Sequence, residues 1–348
     1  MLNTLLHKYN KLRKQNLLRQ LLPGIERKYA FVGAGLHSIS TLYPILKFLS
    51  VPIKYIVTHQ SDPGHEIKSL FPDAVFTRNL KDVTDDREIA GIFVCTNASR
   101  HYDILSVLLR SGKNIFVEKP PCSNLEELNS LITLSKGNIC KVGLQRRYWP
   151  ANQLLKQILV EPSTYVYRFR TGSYPQGDEL TELFIHPLDY INFLFGNFEL
   201  LSSLRKKTKS GIVYHLHVSH NNGISGLVEL STSGSWNHPL DELIVDCQSE
   251  SVSINYPISV SAISKPKRIM NIPSERVLKK PLIAKTYFST GNLIVPAADL
   301  NTFMLQGFFQ ELHTFLMITE GKPEKKMIGN DLEQLINIYQ VMDQLRKD

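Results

Sequence analysis

The segment KYAFVGAGLHS at residues 28–38 decides the fold of the first part of the chain. A short apolar run ends at Gly33, Gly35 follows two residues later, and the next stretch, SISTLYPILKFL, has a pattern typical of a helix. Gly33 permits a tight turn, and Gly35 lets the backbone approach a pyrophosphate at the helix N-terminus. Ser38 stands at the third glycine position, where a small residue still allows close helix–strand packing. The pattern predicts a dinucleotide-binding turn.

Strand-like and helix-like runs continue to alternate after this turn. The further strand-like runs are IKYIVT (53–58), GIFVCT (91–96), NIFVEK (114–119) and CKVGL (140–144). Alternation of this kind is typical of a parallel sheet whose strands are joined by crossover helices.

The pattern changes after Pro150. Five strand-like runs follow, namely TYVYRFR (164–170), GIVYHLHVS (211–219), GISGLVELS (223–231), ELIVDC (242–247) and SVSINY (251–256). Asn221-Asn222-Gly223 predicts a hairpin turn between two of them, which favours an antiparallel sheet. Apolar residues with helical spacing then predict two amphipathic helices, at 302–318 and 330–345.

The fold class predicted from these patterns is α/β plus α+β, with an N-terminal Rossmann parallel sheet and a C-terminal domain built on an open, mainly antiparallel sheet. A length of 348 residues favours two domains. We predict an N-terminal helical extension at 1–27, a dinucleotide-binding domain at 28–147 and an α+β substrate and oligomerisation domain at 148–348. The last helices are expected to pack back onto the rest of the chain.

The positive charge is concentrated at one end of the sequence. Of the net charge of +8, residues 1–28 contribute +6, so the remainder is nearly neutral and gives no support for nucleic-acid binding. Within residues 1–24, leucines at helical spacing predict a basic amphipathic helix that ends before Pro23-Gly24. Packing on the protein itself or on a neighbouring subunit is the favoured interpretation, with membrane-surface docking or targeting as alternatives.

The cysteines and the apolar runs indicate the compartment. Cys95, Cys122, Cys140 and Cys247 show no CxxC spacing, which favours reduced thiols. No apolar run is long enough to cross a bilayer. We therefore expect a cytoplasmic protein without a membrane span.

Three motifs together resemble the Gfo/Idh/MocA oxidoreductase family, which includes glucose-fructose oxidoreductase and inositol dehydrogenase. They are the glycine turn GAGLHS, the run Glu118-Lys119-Pro120 at the end of a strand, and the segment HPLDYINFLFG beginning at His186. The segments FVCTNASRHYD, GLQRRYWP and ELHTF are also similar, so the resemblance extends over about residues 28–345.

The resemblance implies an NAD(P)-dependent oxidoreductase that transfers a hydride to or from a secondary alcohol or ketone of a sugar, a cyclitol or a nucleotide sugar. The residues expected to bind the cofactor are Gly33, Gly35, Leu36, His37, Thr58, His59, Thr96, Asn97, His101, Glu118 and Lys119. The second strand ends without the acidic residue that usually binds an adenosine ribose. NAD or NADP is therefore expected, with NADP slightly favoured.

The expected catalytic residues are Lys119, His186 and Asp189. The Lys119 ammonium can polarise the reacting oxygen, and His186 can accept the hydroxyl proton. Asp189 lies three residues after His186 on the predicted helix, where it can orient the imidazole or bind a sugar hydroxyl.

The residues expected to contact the substrate are Arg147, Tyr148, Phe184 and Tyr190. Structural ion pairing is an alternative for Arg147, and core packing is one for Tyr190. Phe184 replaces a glycine of the family pattern, so a bulky ring is expected to reshape the pocket.

A metal site is not expected. The run YHLHVSH contains His215, His217 and His220, and alternating residues share one strand face, but no carboxylate or cysteine completes a ligand set. We expect these histidines to face solvent or a subunit interface.

Two other functions remain open. One is a lyase or hydrolase that recycles a tightly bound cofactor, and the other is a non-catalytic dinucleotide-binding sensor. By resemblance, a homodimer or homotetramer is expected, assembled through the antiparallel sheet.

Overall fold

The computed structural model describes most of the chain, and all structural statements refer to that part. The described residues are 5–13, 24–59, 65–173, 177–278, 284–290, 298–322 and 330–347.

The first part of the chain forms a six-stranded parallel sheet. Its strands are β1 (Lys28–Val32), β2 (Ile53–Val57), β3 (Val75–Thr77), β4 (Ile89–Val94), β5 (Asn114–Val117) and β6 (Cys140–Val142). Their spatial order is β3-β2-β1-β4-β5-β6, and every pair is parallel. The helices between them are α2 (Tyr43–Phe48), α3 (His65–Leu70), α4 (Lys81–Thr84), α5 (His101–Arg110) and α6 (Leu125–Leu134). This arrangement confirms the predicted Rossmann sheet.

The second part forms an eight-stranded sheet with order β16-β13-β12-β11-β7-β10-β9-β8. Its strands are β7 (Thr164–Arg170), β8 (Phe198–Lys207), β9 (Ile212–His220), β10 (Ser225–Ser231), β11 (Leu240–Asp246), β12 (Glu250–Asn255), β13 (Ser259–Ser264) and β16 (Ala284–Ser289). A separate two-stranded ribbon consists of β14 (Arg268–Ile269) and β15 (Ile272–Pro273). Only β7 and β10 pair in parallel, so the prediction of a mainly antiparallel sheet is confirmed.

Helices cover one face of this second sheet. They include α7 (Asn152–Ile158) and α8 (Ile185–Phe195). A further short helix, α9 (Ser274–Leu278), follows β15. Along β7, the side chains of Tyr165, Tyr167 and Phe169 are buried while the residues between them are exposed. One sheet face therefore lies in the core and the other is open to solvent. The predicted hairpin between β9 and β10 is also present, with Gly223 at a φ of 87°.

Each of the two predicted C-terminal helices is interrupted. The first is divided into α10 (Ala298–Gln306) and α11 (Phe308–Thr319), and the second into α12 (Asp331–Gln334) and α13 (Ile336–Lys347). Gly307 separates α10 from α11 at a φ of 95°, and a Cβ there would lie 2.1 Å from the Gln145 carbonyl oxygen. Only glycine fits this position, which allows α11 to lie against the parallel sheet.

Helix α1 precedes the first sheet at residues 5–13, and all of its residues are exposed. The described ranges show no cover over α1, and its packing on its own protein or on a neighbouring subunit, or its docking on a membrane surface, stays a prediction. The rest of the predicted N-terminal helix, residues 14–23, lies outside the described residues. In the part of the chain that can be described, no helix has the length and apolar character needed to cross a membrane.

Candidate active site

A cleft of about 610 Å³ lies at the carboxyl ends of β1, β4 and β5. One wall comes from the loops that follow these strands, and the other comes from residues 177–182, which precede α8. The lining residues are His37, Cys95, Thr96, Asn97, Ala98, Ser99, Glu118, Lys119, Pro120, Ser123, Gly177, Asp178, Thr181 and Glu182. The carboxyl edge of an open parallel sheet is where ligands bind in folds of this type.

The glycine turn lies at one end of the cleft. Gly33 has a φ of 118°, and a Cβ there would lie 1.9 Å from the Cys95 carbonyl oxygen, so both conformation and space require glycine. Gly35 is different, because a Cβ built on it meets no atom within 4 Å. The Ser38 hydroxyl donates to the Cys95 carbonyl over 3.1 Å and holds the turn against β4. The backbone over Gly35 is thus open to a ligand, while the backbone at Gly33 is closed by the protein.

His37 and Glu118 form an ion pair beside the turn. His37 Nε2 lies 3.4 Å from Glu118 Oε1, and the Glu118 side chain is 7% exposed while that of His37 is 47% exposed. Burial lowers the pKa of His37, but the hydrogen bond and charge of Glu118 outweigh it, so the pKa is raised overall. Glu118 thus favours the protonated, positively charged form of His37, close to where the cofactor phosphates are expected.

The side chain of His101 makes two hydrogen bonds that connect the loop after β4 with the loop after β5. The His101 Nδ1 atom lies 2.7 Å from the Pro120 carbonyl oxygen, and its Nε2 atom accepts a 3.3 Å hydrogen bond from the Thr96 amide. Burial lowers the pKa of His101, which favours the neutral ring that these two bonds require. Both ring nitrogens are therefore occupied. The geometry supports a role for His101 in positioning Thr96 and Lys119, and gives no contact surface for a cofactor.

Lys119 connects the two walls of the cleft. Its ammonium donates to the Glu182 carbonyl oxygen over 2.5 Å and lies 3.5 Å from Glu182 Oε2. Glu182 was absent from the sequence-based site, although it precedes His186 by four residues, a spacing that places it one helical turn away. Since an ammonium has three donors, Lys119 keeps donor capacity for a substrate oxygen.

His186 lies in the first turn of α8 and is half-buried. Its Nδ1 atom is buried and has no hydrogen-bond partner among the described residues. Burial lowers the pKa of His186 well below its usual range, and the positive charges of Lys119 and Arg146 act in the same direction. The imidazole is therefore neutral at pH 7, which is the form that can accept a proton.

Asp189 does not orient His186, contrary to one of its predicted roles. Arg147 Nε donates to Asp189 Oδ2 over 2.8 Å, and Arg147 Nη2 donates to Oδ1. Burial raises the pKa of Asp189, while the positive charge of Arg147 opposes this shift. Both oxygens are used by the guanidinium, which also donates to Gln334 over 2.5 Å. The geometry favours the structural alternative for Arg147 and gives Asp189 the same buried ion-pairing role.

Two predicted substrate contacts are core residues instead. Phe184 is fully buried and meets Phe169 and Tyr214 edge-on at 6.2 and 5.9 Å, so it does not reshape the cleft as expected. Tyr190 is also buried, and its hydroxyl donates to Asn152 Oδ1 over 2.9 Å. Tyr148 is partly buried in a short helical turn after β6, where burial raises its pKa well above the usual value.

The end of β2 shows where an adenosine ribose would be recognised. Thr58 is buried and its amide donates to the Thr77 carbonyl over 3.0 Å, whereas His59 is exposed. Leu36, in the glycine turn, is 88% exposed, so the turn presents an apolar side chain to solvent. Within the described residues, β2 ends without an acid in this position.

Of the three strand histidines, His220 does not face solvent as expected. His220 is buried, with Nδ1 2.7 Å from the Gly196 carbonyl oxygen and Nε2 2.9 Å from the Tyr165 hydroxyl. His215 is exposed and His217 lies 3.1 Å from the Ser225 hydroxyl. Among the residues that can be described, no group of three His, Cys, Asp or Glu is placed to hold a metal ion.

A nicotinamide dinucleotide fits this set of residues. The backbone at Gly35 is open, helical turns begin at Ser38, and His37 between them lines the cleft together with loop 96–99 and Lys119. Residues 27–145 match the model of an oxidoreductase family with an NAD-binding Rossmann fold, Gfo/Idh/MocA. The first part of the chain is thus similar to this family.

Curated relatives match part of the chain. A scyllo-inositol 2-dehydrogenase (NADP(+)) from Bacillus subtilis is 29% identical over 139 residues, which are 39% of this chain and 38% of that protein. A scyllo-inositol 2-dehydrogenase (NAD(+)) from the same organism is 39% identical over 72 residues, 20% of this chain and 21% of that protein. The match thus covers well under two thirds of the length of either relative.

The likeness in fold extends over nearly the whole chain. The crystal structure of a dehydrogenase from Chromobacterium violaceum superposes with a TM-score of 0.76, covering 92% of this chain and 95% of that chain at 16% identity. At this level of identity the comparison establishes the architecture of both sheets, which agrees with the family resemblance seen in the sequence.

Proposed function

We propose that this protein is an NAD(P)-dependent oxidoreductase that transfers a hydride between nicotinamide and a secondary alcohol or ketone of a sugar, a cyclitol or a nucleotide sugar. The observation that carries the proposal is the position of Lys119. It lies at the carboxyl end of a parallel strand, in a cleft that His37 of the glycine turn also lines, and bonds to the segment that leads into His186. The inositol dehydrogenases that the chain resembles support the substrate class.

We assign cofactor binding to the wall that runs from the glycine turn to Lys119. Gly35 and the following helix would hold the pyrophosphate, with His37 adding positive charge when its pairing with Glu118 keeps it protonated. Thr96 and Asn97 would line the path toward the nicotinamide end. When bound, the nicotinamide accepts or donates the hydride. Thr58 and His59 stay as proposed contacts of the adenosine end.

The reacting hydroxyl group would lie between Lys119 and His186. In the oxidation direction, His186 accepts the hydroxyl proton, and the hydrogen on the same carbon leaves with both electrons of its bond as a hydride to the nicotinamide. Lys119 stabilises the charge that develops on the oxygen. Reduction of a ketone returns a proton from His186 to the same oxygen. Glu182 holds Lys119 from the opposite wall and is a further contact for a polar substrate. Asp189 and Arg147 would support this end of the site through their buried pair.

Single-turnover kinetics would test the proposal directly. We would mix the enzyme with NAD⁺ or NADP⁺ and a panel of cyclitols, sugars and nucleotide sugars, and follow absorbance of the reduced nicotinamide. Lys119→Ala and His186→Ala should each slow hydride transfer about 100-fold or more, the usual scale for such groups. The exposed Lys81→Ala is the matched control and should keep the wild-type rate.

Other outcomes would decide among the alternatives. A wild-type rate in both site variants would overturn the assignment of Lys119 and His186. Retained nicotinamide without net absorbance change, together with conversion of the sugar, would indicate the cofactor-recycling lyase or hydrolase. Complete lack of turnover with every substrate, combined with tight cofactor binding, would indicate the sensor.

The cofactor preference rests on the end of β2. We propose NADP as the slightly preferred form, because the described end of β2 offers no acid for a ribose 2′-hydroxyl. The two inositol dehydrogenases differ in this respect, since one is named for NADP and the other for NAD. Titration with both cofactors would measure the preference.

We also propose a homodimer or homotetramer in a reducing, cytoplasmic setting. On the open face of the second sheet, Leu227 pairs in register with Val166, which pairs with Ile244, and all three side chains are exposed. This apolar row would be covered by a second copy. All four cysteines are free and buried, which suits a reducing compartment. The predicted domain boundary near residue 147 is supported by the change of sheet between β6 and β7.

A further inference from the structure

Helix α1 carries an apolar face that no described part of the chain covers. Leu5, Leu6, Tyr9 and Leu12 occupy positions i, i+1, i+4 and i+7, which lie on one side of an α-helix. Their side chains are between 56% and 62% exposed. An uncovered row of large apolar residues on a short helix is unfavourable in water, so the helix requires a partner surface.

The other side of the helix is basic. Lys8 and Lys11 lie on its polar side, Arg13 ends it, and residues 5–13 contain no acid. Where the chain enters the parallel sheet the charges are mixed, since Lys28 pairs with Glu88 over 2.9 Å and the exposed Arg27 follows the exposed Glu26. The excess of positive charge is therefore that of α1 itself.

We propose that α1 docks this protein on a lipid bilayer that carries anionic headgroups. A bilayer satisfies both sides of the helix at once, because its headgroups attract lysine and arginine while the acyl boundary accepts leucine and tyrosine. A second copy of α1 fits poorly, since two basic helices without acids repel each other. Nucleic acid would match the charge but would leave the leucine face uncovered.

The attachment point keeps the cleft accessible on a membrane. The chain passes from α1 to β1 at Lys28, which lies at the amino edge of the parallel sheet, while the cleft lies at the carboxyl edge. The proposal thus describes recruitment of an intact enzyme to a surface and is independent of which substrate it uses.

Vesicle co-sedimentation with the full chain tests this docking. Vesicles of phosphatidylcholine alone are compared with vesicles containing about one third phosphatidylserine, at about 0.1 M salt, where charges remain effective. We expect at least tenfold tighter binding to the anionic vesicles and clear weakening at about 0.5 M salt. Leu5→Asp with Leu12→Asp, and Lys8→Glu with Lys11→Glu, should each abolish the difference. The exposed Lys267→Glu, on the second part of the chain, is the matched control and should bind like wild type.

Size and stability measurements keep the outcome unambiguous. Because all residues of α1 are exposed, the variants should retain the wild-type melting temperature and cofactor affinity. Equal or absent binding of wild type to the two kinds of vesicle would overturn the proposal. The proposal would also be overturned if wild type does not bind vesicles and the Leu5/Leu12 variant forms a smaller oligomer in light scattering, because α1 would then contact a protein.

Discussion

The two sheets of this protein differ in how their faces are covered. In the parallel sheet, one face packs under α5 and α6 and the other packs under α2 and α11, so β1, β4 and β5 are almost wholly buried. In the second sheet, alternate residues of β7 remain exposed, and an apolar row runs across the open face. The covered sheet has only its edges available for binding, and the cleft lies at one of them. The open sheet has a whole face available for a partner.

The largest expected effect follows from removing cover from the parallel sheet. Phe315 of α11 is fully buried, meets the Phe93 ring edge-on at 5.2 Å and lies against Gly91. Phe315→Ala should lower the free energy of unfolding by about 3–5 kcal/mol, the usual range for such a cavity. Chemical denaturation would measure it. The exposed Leu227→Ala on the open sheet should cost the monomer less than about 0.5 kcal/mol and reduce oligomer size instead. Equal losses in both variants would contradict the comparison.

The buried ion pair beneath the cleft should have an effect of similar size. Arg147→Met leaves Asp189 buried without its partner, which typically costs about 3–5 kcal/mol. Adding Asp189→Leu removes the unpaired carboxylate and should restore much of the stability. If Arg147 contacted substrate instead, the single variant would raise KM with little change in stability. Urea unfolding and steady-state kinetics on both variants would separate these outcomes.

The sequence was sufficient for five of the six strands of the parallel sheet, because these five are short apolar runs between helices. It missed β3, which is three residues long and partly exposed, and β8, an edge strand whose second half is basic and exposed. Neither shows the buried pattern that identifies a strand. The pairing that makes β7 parallel to β10 depends on contacts distant in sequence, which local patterns do not encode.

The same limit applies to the candidate site. Thr96, Glu118 and Lys119 follow strand ends, so the topology alone brings them to one edge. Glu182 and the Arg147–Asp189 pair arise where distant segments meet, and the sequence gives no distance between them. Phe184 could have been recognised as a core residue, because Phe184, Leu188 and Ile191 follow helical spacing and are all buried.

The two glycines of the phosphate turn should respond differently to substitution. Gly35→Val adds a side chain into open space, so the protein should fold normally while cofactor affinity falls about 100-fold or more. Calorimetry with NAD⁺ and NADP⁺ would measure the loss. Gly33→Val collides with the Cys95 carbonyl and should instead destabilise the fold. Unchanged affinity in folded Gly35→Val would exclude this turn as the phosphate site.

The smallest expected effect concerns a carboxyl group whose pKa is raised by burial under the cover of the parallel sheet. Glu311 of α11 is buried and accepts a 2.5 Å hydrogen bond from the Leu144 amide. Burial raises the pKa of Glu311 well above its usual value, and the negative charge of Glu118 adds to this. A group whose pKa is raised on folding contributes stability below its unfolded pKa and loses that contribution as pH rises toward its folded pKa.

Replacing the carboxyl by a neutral amide tests this directly. Glutamine keeps an acceptor for the Leu144 amide but does not titrate, so Glu311→Gln should match wild type in stability near pH 4 and be more stable than wild type near pH 8. Urea unfolding at several pH values would show the difference growing as pH rises. A control substitution at the exposed Glu199 should leave the slope unchanged. If Glu311→Gln is less stable than wild type at pH 8, the folded protein stabilises Glu311 as a paired carboxylate. The covered face of the parallel sheet would then accommodate a buried charge, contrary to this prediction.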